Sequence, residues 1–299
     1  MKKHFFALFA LLALCLWANV AKADITYSIF DESDGTLTFY YYPGPENNIP
    51  NSHLNNPYYY HTGDNFSRGW DSYSTKIKRI VFDKSISSGK VKTIKNIFHD
   101  LPNLVEVSGL RYASEANTDV RSLSGLFANC TSLETIDLSA FVSTAITEMD
   151  NMFSGCSKLK WVDISGFTAE NVTTTEKMFY GCNKLEAVFV SSSFTTKKVT
   201  KSNLMFHSNT YLRGKITYNS SNAKDKTYAN TNGYFILKPS GNEAYLYYCE
   251  SNPGVATFCY DNHRSSYGTL LNNNYENPGW LSLIPKFTKV VFLESFKNV

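Results

Sequence analysis

A motif that returns every 26 residues is the feature that most constrains how this chain can fold. The segment 126–130 reads LFANC, 152–156 reads MFSGC and 178–182 reads MFYGC. A fixed interval of about 20 to 50 residues is typical of stacked structural units, each of which buries its apolar face against the next. The sequence therefore predicts an elongated stack and places function on a long surface.

Five units share one frame with three apolar columns. The anchoring residues of these units are Phe98, Phe127, Phe153, Phe179 and Phe206. A leucine follows each phenylalanine by six residues, and a valine or isoleucine precedes each by seven. The steps between them are 29, 26, 26 and 27 residues, and surface loops tolerate such changes of length. We predict that the phenylalanines form the structural core.

Within a unit, two periodicities alternate. Ile146, Met149, Phe153 and Cys156 have the spacing of one face of a short helix, which Thr147, and in the next units Thr173 and Thr200, are placed to cap. Alternating apolar residues follow, such as Val162 and Ile164, which predict a short strand with both side chains inward. The expected fold class is α/β: a leucine-rich-repeat-like solenoid with a parallel strand ladder, short helices and β-rich flanking cap units.

The N-terminus has the pattern of a secretory signal. Lys2 and Lys3 precede an apolar stretch over 5–17, and 21–23 reads AKA, a small-x-small cleavage site. The apolar stretch is too short to span a bilayer, and no other stretch reaches about 18 apolar residues. Removal of 1–23 takes three lysines and leaves a net charge of zero, which gives no indication of nucleic-acid binding. We expect an exported protein at the cell surface or outside the cell.

The segments on either side of the repeats predict an internal duplication. A hairpin over 25–42 turns at Asp34-Gly35, and a second over 244–260 turns at Pro253-Gly254; each is followed by a Gly-Trp pair and an apolar strand. The expected organisation is a signal peptide (1–23), a hairpin cap (24–75), a solenoid of about five units (76–218), a closing segment or linker (219–240) and an incomplete second cap (241–299). An uncovered strand there favours self-association.

The repeats at 133–156 and 159–182, with LETIDLSAF, MFSGC and MFYGC, resemble the BspA-like leucine-rich-repeat surface proteins, and 257–292, with PGW and TKVVF, resembles the segment preceding such arrays in Bacteroidales members. The resemblance covers nearly all of the chain after 1–23. It implies a secreted or surface-displayed, non-enzymatic protein that binds host matrix proteins, other cells or glycans. It implies no fixed set of binding residues.

The cysteines favour packing over metal chemistry. Cys130, Cys156 and Cys182 form one column, whereas zinc needs four ligands around one point. We therefore predict core packing for this column and no metal or other cofactor, with a disulfide between neighbours as the weaker alternative. Cys249 and Cys259 flank the second hairpin, where either a disulfide or a shared apolar position explains them.

The strands indicate a candidate binding face. If Val162 and Ile164 point inward, then Trp161 and Asp163 point outward, and the neighbouring strands add Phe189, Thr135 and Asp137. Exposed aromatic residues on a concave surface suggest a ligand-binding patch. The alternative is that a flanking segment covers them.

No catalytic motif such as HExxH, GxSxG or a P-loop is present in the sequence. We therefore expect an adhesion or interaction protein that binds a host extracellular-matrix or cell-surface protein through the solenoid surface, and not an enzyme. The alternative is a glycan-binding module of the cell surface. A hydrolase that uses scattered carboxylates is a third and weaker hypothesis.

Overall fold

The structure, a computed structural model, describes residues 25–43, 58–61, 68–89, 91, 93–115, 120–222, 224–248, 254–264, 268–270 and 286–293. The predicted signal peptide lies outside these residues. The strands are β1 (Ile25–Asp31), β2 (Thr36–Tyr42), β3 (Tyr58–His61), β4 (Arg79–Phe82), β5 (Glu106–Ser108), β6 (Thr135–Asp137), β7 (Trp161–Asp163), β8 (Ala187–Val190), β9 (Phe235–Leu237), β10 (Glu243–Tyr247), β11 (Val255–Asp261), β12 (Gly268–Leu270) and β13 (Lys289–Phe292). The described helices are α1 (Arg111–Glu115) and 3-10 turns at Asp71–Tyr73, Lys84–Ser88 and Lys226–Tyr228.

The N-terminal sheet has the order β3-β1-β2-β4-β5. β1 and β2 form the hairpin expected at Asp34-Gly35, where Gly35 has a left-handed φ of 77°. The Gly35 carbonyl accepts hydrogen bonds from the amides of Lys78 (2.8 Å) and Arg79 (3.2 Å), which fixes β4 parallel to β2. The inner face buries Phe39 and Trp70 in the same core as the repeats. This sheet thus covers the first turn of the stack.

A second sheet is a parallel ladder with the order β6-β7-β8-β9. Val162 lies beside Ile136 on one side and Val188 on the other, and all three are buried as the alternation predicts. β9 belongs to the segment that the sequence assigned to a closing linker, so the ladder continues one strand beyond residue 218. The central fold is therefore built on mixed sheets with parallel strands and few helices.

The predicted short helices of the repeats are wrong. The segments before β6, β7 and β8 are successive turns, and each contains a pair of left-handed residues four positions apart, for example Asn151 (φ 53°) and Gly155 (φ 77°). A right-handed helix cannot pass through such residues. The amide of Phe153 donates to the Met178 carbonyl of the next unit (2.9 Å), and the Phe127 amide donates likewise to Met152. Hydrogen bonds between units therefore replace bonds within a helix.

The threonines that the sequence placed at helix starts also bond between units. The hydroxyl of Thr147 donates to the Arg121 carbonyl (3.1 Å), that of Thr173 to Thr147 (3.2 Å) and that of Thr200 to Thr173 (3.3 Å). Each hydroxyl reaches the carbonyl of the preceding unit, so the row ties neighbouring turns together. These side chains therefore link successive units by hydrogen bonds and do not cap helices.

The five frame phenylalanines form one continuous stack of buried rings. Successive centroids, from Phe98 through Phe127, Phe153 and Phe179 to Phe206, are 5.8, 5.8, 5.6 and 5.9 Å apart. The rings are within 22° of parallel. Offset stacking of this kind adds to the energy of apolar burial. The 26-residue step is therefore the step of the ring stack.

The pairing of strands between successive units is interrupted between the first and second units. β5 and β6 belong to different sheets, although the turns behind them stay hydrogen-bonded through the Phe98 amide and Leu126 carbonyl. The 29-residue step falls here, and α1 occupies part of the added length. A cleft of about 480 Å³ opens at the interruption, lined among others by Gly109, Tyr112 and Ser139.

The C-terminal sheet repeats the arrangement of the N-terminal one. Its order is β12-β10-β11-β13, which corresponds strand by strand to β3-β1-β2-β4, with the same parallel and antiparallel pairings. Gly254 has a φ of 79° and accepts from the amides of Thr288 and Lys289, as Gly35 does from Lys78 and Arg79. The two segments that the sequence identifies as copies therefore have one topology.

Candidate functional site

The predicted aromatic patch on the ladder is covered. Phe189 is fully buried and Trp161 is half-buried, and their rings meet edge to face at 6.3 Å. The imidazole of His263, which follows β11, stacks on Trp161 at 4.4 Å and 18° and contacts Phe189 at 5.4 Å. The prediction of two exposed aromatic residues is therefore wrong, because the C-terminal sheet supplies the flanking cover. Thr135 and Asp137 stay exposed beside them.

Asp163, predicted to face solvent, is instead the buried centre of a charge network. Its Oδ2 contacts the Lys238 ammonium and lies 3.0 Å from His263 Nε2, while its Oδ1 accepts from the Ser165 amide at 2.8 Å. Burial by itself raises the pKa of this carboxyl, but the hydrogen bonds from His263, Lys238 and Ser165 outweigh it and lower the pKa to about 2. The network holds the C-terminal segment to the ladder.

A second polar contact joins the same two surfaces. The Tyr247 hydroxyl of β10 donates to Glu186, a buried carboxylate just before β8. Next to it, the Tyr245 hydroxyl donates to Asp261 at 2.9 Å. Burial and the nearby charges raise the pKa of Tyr245, so this hydroxyl keeps its proton. The Tyr247 contact therefore holds one face of the C-terminal sheet against the ladder.

A cavity of about 330 Å³ lies between the ladder and the C-terminal sheet. Its walls include Trp161, Tyr245 and Tyr247, which supply apolar surface, and Lys160, Glu186, Asp261 and His263, which supply charge and hydrogen bonds; Thr135 lines it from an exposed position. A few polar groups in an aromatic wall are typical of small-ligand sites, whose volumes begin at about 300 Å³.

Asp137, Asp163 and His263 offer ligand atoms within 4.8 Å of one another. The Lys238 ammonium, however, contacts the same Asp163 oxygen that faces His263. A fixed ammonium at that oxygen repels a second cation. The group fits a charge-paired structural network, in which His263 Nε2 also lies 3.5 Å from Asp137, better than a metal centre.

The cysteine column lies in the core, each thiol making one hydrogen bond. Cys130, Cys156 and Cys182 donate to the carbonyls of Phe98, Phe127 and Phe153 at 3.1, 3.0 and 3.0 Å. Burial raises the pKa of Cys130 to about 12 and raises that of the other two as well. These thiols are free, so the weaker alternative of a disulfide within the column is wrong.

The disulfide alternative at the second hairpin is also wrong for Cys259. This thiol is free and buried, and the hairpin register places Cys259 opposite Tyr245. Cys249 lies outside the described residues. A shared apolar position therefore explains Cys259, which corresponds to Tyr40 of the first hairpin.

One protein family matches part of the chain. Its description is "Mycoplasma protein of unknown function, DUF285", and the match covers residues 92–219. The matched segment holds the five-ring stack and stops before β9 and the C-terminal sheet. No curated protein and no solved structure matches the chain. In the part of the chain that the structure describes, no helix has the length and hydropathy needed to cross a membrane.

Several residues of the site had no signal in the sequence. Lys238, Tyr245, Tyr247 and His263 come from the end of the ladder and the second hairpin, and Glu186 is buried although charged residues are seldom buried. Asp163 and His263 are 100 positions apart, and no local periodicity relates them. Two indications were available: the duplication, which identified 241–299 as a folded unit, and the alternative that a flanking segment covers the ladder face.

Proposed function

We propose that this chain is an exported, surface-displayed binding protein of the BspA-like type, and not an enzyme. The matched family is associated with BspA-like surface repeat proteins, and the signal-like N-terminus supports export. The parallel strands and ring stack support a leucine-rich-repeat-like solenoid, in which each unit contacts its neighbours. Adhesion to a matrix protein or to other cells is the general role that we propose.

Between the two ligand classes, one observation favours a glycan. The ladder face does not present a flat apolar patch, as protein adhesion through Trp161 and Phe189 requires. It forms one wall of the 330 Å³ cavity, where aromatic rings lie among Lys160, Glu186 and Asp261. A sugar offers hydroxyls to charged groups and apolar ring faces to aromatic side chains. We therefore propose a glycan as the ligand and a matrix protein as the second candidate.

The test compares a glycan array with a panel of immobilised matrix proteins. Thr135→Trp fills the mouth of the cavity from an exposed position, and Val142→Trp is the matched control, because Val142 is 67% exposed and does not line the cavity. We expect glycan binding by the unmodified chain and by Val142→Trp, and its loss in Thr135→Trp.

The other outcomes decide against the proposal at different levels. If the chain binds a matrix protein and Thr135→Trp still binds it, the second candidate is favoured and the cavity is not the binding site. Failure to bind either class contradicts a binding role for this face. Turnover of any bound glycan, measured by release of reducing ends, contradicts the non-enzymatic role.

A further inference from the structure

The two copies of the cap sheet differ in what lies against their last strand. In the first copy, Ile80 and Phe82 of β4 are 0% and 1% exposed. At the corresponding positions of β13, Val290 and Phe292 are 51% and 62% exposed, and the adjacent Leu293 is 41% exposed. The same strand with the same apolar pattern is thus covered in one copy and open to solvent in the other.

The first copy shows what covers such a strand. β5 of the first repeat unit pairs parallel to β4, with Ile80 beside Val107, and the Lys78 carbonyl accepts from the Val105 amide at 2.9 Å. The ring of Phe98 from the same unit lies edge-on against Phe82 at 5.9 Å. One repeat unit therefore supplies both a strand and an aromatic ring to this surface.

The second copy has the same stacked pair of rings. In the first copy, Phe39 and Phe82 stack at 4.9 Å and 14°, and Phe98 meets both rings edge to face. In the second, Phe258 and Phe292 stack at 4.6 Å and 12°. The Leu293 amide donates to the Phe258 carbonyl, as the Asp83 amide donates to Phe39. Among the described strands, β13 is the outer member of its sheet, with β11 on its one paired side.

We propose that β13 and the Phe258–Phe292 pair form a docking site for a repeat unit from another protein chain of this repeat type. The incoming strand runs parallel to Lys289–Val291 and donates to the Thr288 carbonyl, which corresponds to that of Lys78. A phenylalanine of the incoming unit sits edge-on against the Phe258–Phe292 pair. Such strand addition derives affinity from main-chain hydrogen bonds and selectivity from the side-chain receptor. Leu293, next to this strand, also lines the proposed ligand cavity, whereas Val290, Phe258 and Phe292 do not.

The test uses the purified full-length chain and a labelled synthetic peptide with the sequence of residues 91–110, which contains the first-repeat phenylalanine and the β5 strand. Binding is followed by fluorescence polarisation. We expect saturable binding to the unmodified chain and at least about tenfold weaker binding to Val290→Asp, since a charge then lies against the incoming strand. The peptide with Phe98→Ala is expected to bind at least about tenfold more weakly, because it lacks the inserted ring.

Val142→Asp is the matched control, because it places the same charge at an exposed valine outside β13 and its sheet and is expected to bind the peptide normally. Circular dichroism and thermal melting check that both variants fold. Hydrogen exchange distinguishes docking at β13 from non-specific adsorption of the peptide, because only docking should slow amide exchange within 289–292. Absence of binding by the unmodified peptide, or equal binding by Val290→Asp and Val142→Asp, overturns the proposal.

Discussion

At the residue scale, the side chains of one column beside the ring stack donate hydrogen bonds to buried backbone carbonyls. The thiols of Cys130, Cys156 and Cys182 each donate to a phenylalanine carbonyl of the preceding unit. In the last unit Asn209 takes this place, and its Nδ2 donates to the carbonyls of Phe179 (2.8 Å) and Cys182 (3.1 Å). What these positions share is therefore a donor. Most of the carbonyls also accept from a backbone amide, as Phe179 does from Cys182, so the side chain adds a second hydrogen bond.

This column makes Asn209 a sensitive test. We expect Asn209→Leu to lower the free energy of unfolding by about 1–3 kcal/mol, because two buried hydrogen bonds, to the Phe179 and Cys182 carbonyls, are lost at about 0.5–1.5 kcal/mol each. Asn209→Cys should cost less, because a thiol at this position can donate to the Phe179 carbonyl as Cys182 does to Phe153. Urea titrations of the two variants measure the difference. Equal losses would show that the column depends on volume and not on hydrogen bonding.

The ring stack predicts a severe effect at its centre. Phe153 lies between Phe127 at 5.8 Å and Phe179 at 5.6 Å and is fully buried. We expect Phe153→Ala to cost about 3–5 kcal/mol, from lost burial and from the cavity left between two rings. Thermal melting with Val142→Ala as an exposed control measures the loss. A melting temperature like that of the control contradicts the stack.

At the scale of elements, the turns of the repeats depend on left-handed positions. Gly155 and Gly181 occupy the same place in successive units, with φ values of 77° and 72°. They differ in their surroundings. A Cβ on Gly155 falls 2.3 Å from Asn129 Oδ1, whereas the nearest atoms to one on Gly181 are 3.8 Å away. Asn129 is held in place by its hydrogen bond to Asp100.

Alanine substitutions at Gly155 and Gly181 separate the energetic cost of backbone strain from that of steric contact. Gly181→Ala should cost about 1–2 kcal/mol, the penalty of a left-handed alanine. Gly155→Ala should cost more, because Asn129 must also move and give up its bond to Asp100. Chemical denaturation of both variants checks the order. If the turns were helical after all, both changes would stabilise the chain, since alanine favours a helix over glycine.

At the scale of the whole molecule, the C-terminal sheet packs against the ladder. The contacts are Trp161 with His263, Asp163 with Lys238 and His263, and Glu186 with Tyr247. The second cap unit therefore packs on the first module through the side that faces the ladder. Self-association through its other side, at β13, stays a prediction.

Asp163 gives this packing a dependence on acid. Its pKa lies near 2 in the folded chain, below the ordinary value of 3.8, so it stabilises the fold fully above about pH 4, and that contribution is lost as pH falls towards 2. We expect Asp163→Asn to unfold about 2 kcal/mol more easily at pH 7. The difference from the unmodified chain should shrink between pH 4 and pH 2, as urea titrations at each pH would show.

Glu134→Gln is the control for this pH series. Glu134 pairs with Lys160 at 2.8 Å on the surface, and exposed ion pairs contribute little, about 0–1 kcal/mol. Its loss should therefore be small at every pH. A difference between Asp163→Asn and the unmodified chain that does not change with pH would show that the carboxylate charge is not what stabilises the interface.

The amino-acid sequence was enough to define the frame of the stack. Because equivalent residues of successive units occupy equivalent environments, the 26-residue period was enough to place Phe153 between Phe127 and Phe179, and Cys156 in the core. Alternation was enough to orient Val162 and Ile164 inward. The duplication could be recognised in the sequence because both copies keep the turn glycine and the pattern of apolar residues in the strands.

The tertiary structure alone decided how the units bond and what covers them. A spacing of three and four residues fits a helix and also fits turns whose amides bond to the next unit, and only the neighbour makes the turns favourable. The cover over Trp161 and the ion pairs of Asp163 join residues 75 to 102 positions apart. Such contacts follow from how two surfaces fit after each has folded, and no local pattern encodes them.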